Sequence, residues 1–505
     1  MVPTTELFDL IKRLTKSEKR YFTVNSKAQE GSKLYLTLFQ EMDKMETYDE
    51  AKLKDRLKSL GFKPTNLAVM KVHLTKLILK ALRSFYEGNT PEHTVLSMLL
   101  EAEILKNKGL YQQAIKHFEK AKATARHFEM HYHIFEILNR LIFTHIGLFV
   151  KGTAEKLEAL FEEMESLKNL AYKEAEVKTL ACKAWLISNT KQLRRPATLA
   201  AIDEIERHPM LQAIETGDTF FTKIYYFNAH AHLNHSKGEY QKANQHYKKT
   251  LELWNSHPHI RDINNRTYKS DITNYLNSCH TLGRYEVFDE WMERFESIKD
   301  TNFNEEAGSF KDYYHITLLY LLNTAQLKRA LEIVPKVEYG LKAYQPRLSK
   351  TREMSLRFNV FFVFFCNERF SEALDWLNTL DLDNKLEAKA DTKALARIIR
   401  VIVHYELGHT RILEDLRTSV YRKLKKEHQL HEFERTILEH IRQLENTPDK
   451  KDKIVLFEFL LEKLNAIGET YGMQKITGLE DIVCWAESRV YNKSYLEVLE
   501  QRKRQ

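Results

Sequence analysis

The sequence predicts an all-α chain built as a solenoid of helical hairpins, and three observations predict it. A spaced signature recurs as Gly109-x-Tyr111-x-x-Ala114-x-x-x-Phe118-x-x-Ala121, as Gly238-x-Tyr240-x-x-Ala243-x-x-x-Tyr247, and in shorter form as Gly283-x-Tyr285-x-x-Phe288. A glycine ending one helix, an aromatic opening the next, then a small and a large residue a turn apart describe a packed hairpin. Such a hairpin cannot bury its apolar faces alone, so repetition implies stacking. Glycine and proline are scarce, 15 and 9 of 505 residues, about half the usual share. No run of alternating β-branched residues is long enough for a sheet.

Residues 1–90 form the first expected domain, small, helical and basic. The pattern predicts helices over Glu6 to Leu14, Lys33 to Met45, Asp49 to Leu60 and Asn66 to Tyr86, with Asp49 as an N-cap and Gly61 as a stop. Gly88-Asn89-Thr90-Pro91 reads as a linker.

Hairpins then follow one another over residues 91–446, the second expected domain. With Ala114 as the small residue of a second helix, comparable positions fall at Ala159, Asp203, Ala243, Phe288, Ala330, Ala373 and Asp415, at intervals of 40 to 45 residues. Thr447 to Lys453 reads as a polar joint. Residues 447–505, the third expected domain, supply C-terminal capping helices and the basic tail Arg502-Lys503-Arg504.

The hydrophobic content of 43% suffices for a core. Cys182, Cys279, Cys366 and Cys484 lie far apart with no CxxC pair and read as isolated thiols. The first residues lack the basic start and long apolar core of a signal peptide. The apolar run from Val360 to Cys366 is far short of the roughly 20 residues a membrane span needs. A cytoplasmic location with no membrane partner is the expectation.

The net charge of +8 is concentrated. Between Lys52 and Arg83, nine basic residues (Lys52, Lys54, Arg56, Lys58, Lys63, Lys71, Lys76, Lys80, Arg83) face one acid, Asp55, so the rest of the chain sums to zero. An anionic partner for this helical pair follows, nucleic-acid phosphate being one reading. Lys54, Lys58, Lys76, Lys80 and Arg83 recur at helical spacing, with Leu53, Leu57 and Leu60 expected opposite. The other reading is a solvated face, or one paired with acids elsewhere. No cluster on a recognition helix supports sequence-specific binding.

Catalytic chemistry has no visible motif: no Gly-rich phosphate loop, no GxSxG and no HExxH. No catalytic residue, cofactor or metal site is assigned. Histidine is enriched at 21. His127 and His131, four apart, are expected to share a helix face, with His133 nearby; His230, His232 and His235 form a second group, and His428 and His431 a third. Metal would need further ligands converging on them. The Phe361-Phe362-x-Phe364-Phe365 run reads as buried core, and Tyr225 and Tyr226 likewise.

The Gly109 to Ala121 spacing resembles the second half of the tetratricopeptide repeat consensus, with Ala102 and Ala231 as the small residues of the preceding helices. The resemblance covers residues 92–445. It departs from the family in its longer period, against about 34 residues, and in lacking the first-helix Trp and the closing proline. The opening stretch Leu14-Thr15-Lys16-Ser17-Glu18-Lys19-Arg20-Tyr21-Phe22 also resembles the start of repeat proteins from Bacteroidota. The tetratricopeptide resemblance implies a right-handed α-solenoid of about eight TPR-like hairpins, whose first-helix residues face a concave groove that grips a peptide or protein segment. Counting back from the glycines places Asn228, His232, His235, Thr273, Asn277, His280, His315, Asn323, Arg397, Arg400 and His404 in that groove. A row rich in side-chain donors suits an extended peptide or a carboxylate terminus. The expected function is a protein-interaction scaffold; the alternative is a regulator that touches nucleic acid through its basic N-terminal helices and senses with the solenoid.

Overall fold

A computed structural model describes residues 5–27, 32–61, 67–190, 196–380, 390–473 and 476–504. Among these residues the chain is all-α: helices and two single-turn 3-10 segments, with no strand. None of the helices is long and apolar enough to cross a membrane. The chain divides into two compact units, Met1–Glu174 and Ala175–Gln505.

In the first unit, α1 (Glu6–Arg13), α2 (Lys16–Lys27), α3 (Ser32–Lys44), α4 (Glu50–Ser59) and α5 (Leu67–Phe85) enclose a core of Leu7, Ile11, Phe22, Leu38, Met42, Leu53, Leu57, Leu74 and Ile78. Asp49 caps α4 by accepting from the Lys52 N–H at 3.0 Å, and Gly61 follows α4 at φ +82°. The pattern did not predict α2, although its start is written locally. Thr15 N–H donates to Glu18 Oε2 (2.6 Å) while Glu18 N–H donates to Thr15 Oγ1 (3.2 Å), a reciprocal capping box. Leu60 is a correction: it lies outside the core and is exposed, because α4 ends before a further turn could carry it inward.

Next come α6 (Pro91–Asn107), α7 (Tyr111–His127) and α8 (His131–Leu148), each packed on the next. Pro91 opens α6 behind the Thr90 cap, where a missing N–H costs nothing. Ala102, Ala114, Phe118 and Ala121 are fully buried. Gly147 of α8 lets the Tyr111 ring approach; a methyl there would lie 3.1 Å from it. His127 and His131 do not share a helix face, contrary to expectation: α7 ends at His127, Glu129 turns at φ +52°, and α8 begins at His131.

Helix α9 (Thr153–Thr190) runs unbroken for 38 residues. The register expected at Ala159 is therefore off: Ala159 is exposed and Leu160 is buried. Asp203, on α10 (Pro196–Glu206), is exposed beside buried Ile202, and Asp415 is exposed two residues beyond buried Leu413. At all three positions no Gly-x-aromatic turn fixes the phase, so a period alone misplaced it by one or two residues.

The second unit continues with α11 (Phe220–Lys237), α12 (Tyr240–Ser256), the single turn α13 (Pro258–Arg261), α14 (Asn265–Thr281), α15 (Phe288–Ser297), α16 (Phe303–Asn323), α17 (Leu327–Ala343), α18 (Lys350–Cys366) and α19 (Phe370–Asn378). Then follow α20 (Ala390–Glu406), α21 (Thr410–Lys426), α22 (Glu432–Glu445), α23 (Lys450–Tyr471), α24 (Leu479–Val490) and α25 (Tyr495–Arg504). Each packs mainly on near neighbours in the chain, and α14 on α16, α16 on α18 and α20 on α22 add a second set of contacts. Gly238 and Gly283 close helices at positive φ (+79° and +69°), a conformation glycine adopts without a Cβ penalty. The expected small positions Ala231, Ala243, Ala330 and Ala373 are fully buried, as is Phe288. In the Gly283 copy, however, the second helix starts at Phe288 and not at Tyr285. The Phe361 to Phe365 run is buried throughout.

Candidate interaction surfaces

The basic helices divide sharply once their partners are in place. Lys52 pairs with Asp49 (3.6 Å), Lys54 with Glu50 (2.9 Å), Arg56 with Glu41 (3.7 Å) and Lys58 with Asp55 (3.8 Å). Lys71 is buried, its Nζ 2.7 Å from Glu50 Oε2 and 4.8 Å above the Tyr48 ring. Hydrogen bonds from Lys71 and then Lys54 hold the Glu50 carboxyl down to about 2. Lys63 lies outside the described residues. Lys76, Lys80 and Arg83 project from α5 into solvent. The window is thus a set of ion pairs, most of them on exposed side chains, beside three exposed cations with no partner among the described residues.

The first-helix row is polar, and much of it is spent on holding helices together. On α11, Asn228 donates to Asp271 Oδ1 of α14 (3.1 Å) and His232 Nδ1 meets the Tyr247 hydroxyl of α12 (3.0 Å). His235 packs its ring on Tyr240. On α14, Thr273 is buried and bonds back to the Lys269 carbonyl, while His280 Nδ1 meets the Tyr285 hydroxyl at 2.8 Å. His315 of α16 meets Asn359 of α18 at 3.0 Å, and Asn323 donates to its own helix at the Leu319 carbonyl. On α20, Arg397 is buried against Glu427, the residue that follows α21, Arg400 donates to the Leu377 carbonyl (2.9 Å), and His404 Nδ1 meets His409 Nδ1 at 2.9 Å. Asn277 differs: it is half-buried on α14 and its side-chain amide makes no hydrogen bond among the described residues. Burial pushes the His232 imidazole down to about 4 and lowers His235 and His280, so these rings are neutral near pH 7.

Below the row lies a junction no local pattern announced. Asp271 is almost wholly buried, and the Trp254 indole N–H donates to its Oδ2 at 2.7 Å while Asn228 holds Oδ1. Burial raises this carboxyl to about 6, outweighing the two hydrogen bonds that favour its anion.

The C-terminal helices meet α18 and α20 through a few side chains. Trp485 of α24 donates to Glu406 at the end of α20 (2.7 Å), Arg489 bridges Glu406 and Glu368 (2.9 Å each), and the Tyr495 ring of α25 lies 6.1 Å from that of Phe365. Between them is a cavity of about 280 Å³ lined by His280, Asn323, Phe358, Phe362, Asp481 and Tyr495, among others. Two expected groove residues, His280 and Asn323, are brought together here. The Tyr495 hydroxyl donates to Asp481 at 3.3 Å, and burial pushes the Asp481 carboxyl up to about 6.

A wider cleft of about 610 Å³ opens beside α16 and α17, walled by Tyr313, Tyr314, Tyr339, Tyr344 and Phe310. On its floor Lys269 Nζ is held by Asp300 (2.9 Å) and Ser309 (3.0 Å) above the Phe295 ring. Tyrosines offer broad contact area at low entropic cost, which is why they are enriched at interfaces.

Of the histidine groups, His428 sits in the turn after α21 at φ +56° and His431 caps α22. Among the described residues no three His, Cys, Asp or Glu side chains converge as a metal site would require. No protein-family model matches this chain, and no curated protein matches it in sequence.

Proposed function

We propose that this chain is a cytoplasmic protein-interaction scaffold whose helices form a right-handed α-solenoid of about eight TPR-like hairpins, and that it holds a peptide or protein segment against its first-helix row. Support for the architecture comes from the near-neighbour packing of helices and from the buried Ala114 and Ala243 beside glycines in the left-handed conformation. The observation that carries the binding reading is Asn277. A half-buried amide with no hydrogen-bond partner among the described residues offers one acceptor and two donors to an extended backbone, at a position the repeat family uses for that purpose.

The alternative, a regulator docking on nucleic acid through its N-terminal helices, rests on fewer cations than the sequence suggested, because five of the nine are paired within the chain. The test is a tagged pull-down from the native lysate, one half treated with nuclease, run with the parent chain and Asn277→Leu. A protein that survives nuclease and is lost from Asn277→Leu supports the scaffold reading. Retention by Asn277→Leu removes the row from the site, and recovery that collapses with nuclease favours the alternative. Asn228 is unsuited to this test because its amide holds Asp271.

A further inference from the structure

The outer face of α5 combines unpartnered cations with exposed aliphatic side chains. Its cations Lys76, Lys80 and Arg83 make no ion pair or hydrogen bond among the described residues. Interleaved with them, Val69 is 67% exposed, Val72 58% and Leu79 53%. At about 100° per residue these six side chains fall within an arc of about 100°, opposite the Met70, Leu74 and Ile78 edge that faces the core. The spacing 69, 72, 76, 79, 83 alternates three and four residues, the seam spacing of one helix laid along another.

We propose that this face docks an acidic amphipathic helix of a partner protein, independently of the first-helix row. The charge accounting selects the partner. The other five described cations of the window each have a carboxylate partner among Asp49, Glu50, Glu41 and Asp55, so the three cations with no partner among the described residues sit on the one stripe that also exposes aliphatic surface. Nucleic-acid phosphate would satisfy the cations and leave Val69, Val72 and Leu79 against charged backbone, gaining nothing from them. A second copy of this chain would bring six uncompensated cations together, which like-charge repulsion opposes. A helix carrying Glu or Asp at i, i+4 and i+7 with Leu or Ile between them meets both features. Val69 to Arg83 spans about 21 Å, enough for about four turns of such a helix, and a contact of that size belongs to the transient class.

The probe is a fluorescein-labelled, 18-residue helical peptide with Glu and Leu at those positions, titrated with the full chain by anisotropy at low and moderate salt. A 20-base-pair duplex and phosphatidylserine vesicles are titrated in parallel. Two variants are compared with the parent: Lys76→Glu/Lys80→Glu/Arg83→Glu, and Val69→Ser/Val72→Ser/Leu79→Ser. All six positions are exposed, so both variants should keep the parent's circular dichroism. Each variant is expected to weaken peptide binding at least tenfold. The proposal is overturned if the serine variant binds the peptide as well as the parent does, since charge alone would then account for it. It is equally overturned if the duplex or the vesicles bind more tightly than the peptide.

Discussion

Replacing Asp271 by Asn tests whether the junction under the first-helix row is built around a buried ionisable group. Asn keeps the size of the side chain and an oxygen for the Trp254 indole, and it cannot ionise. It also presents an amide where Asn228 now donates, which a flip of the Asn228 amide accommodates. The folded carboxyl is raised from its ordinary 3.8 to about 6. The folded state therefore binds the proton more tightly than the unfolded chain, and stability falls as pH rises from about 4 to about 6, then levels off. At 1.36 kcal/mol per pH unit the full effect is about 3 kcal/mol, of which about 2 kcal/mol falls between pH 4.5 and 7.5. All five tryptophans lie in the second unit, so urea unfolding followed by tryptophan fluorescence reports on that unit. The stability of Asp271→Asn minus that of the parent should rise by about 2 kcal/mol between those pH values. Asp481, which also sits near 6, is common to both proteins and cancels in the difference. A difference that stays flat with pH would refute the reasoning.

Two further outcomes follow from packing. A methyl at Gly340 of α17 would overlap the Phe310 ring of α16, so Gly340→Ala should destabilise the second unit by about 1–3 kcal/mol, against the usual helical gain of Ala over Gly; thermal melts would show it, and an unchanged or raised midpoint would refute it. Cys182 is exposed while Cys279, Cys366 and Cys484 are buried with thiols pushed upward by burial. Titration of the native chain with a thiol reagent should give one fast thiol and three that react only on unfolding, and Cys182→Ser should remove the fast phase.

Features written within a few residues were readable. The capping of α4 by Asp49 and the buried Ala114 and Ala243 after their glycines depend on contacts inside one hairpin, whereas Pro91, read as part of a linker, is the first residue of α6 behind the Thr90 cap. The register at Ala159, Asp203 and Asp415 was not readable, because an amphipathic pattern without a Gly-x-aromatic turn leaves the phase free. The site chemistry was less legible still. Lys71 and Glu50 are 21 positions apart, and His315 and Asn359 are 44 apart, so which polar groups consume each other depends on how helices cross.

The sequence by itself determined that this chain is helical, where its best-marked hairpins turn, and that its positive charge gathers in one window, since composition, glycine placement and helical period are local properties. Only the tertiary structure decided which cations have no carboxylate partner among the described residues, which of the expected groove donors are spent on neighbours, and that α24 and α25 meet α18 and α20. Those outcomes hinge on pairs brought together from distant positions, where a shift of one helical turn exchanges a satisfied group for an exposed one.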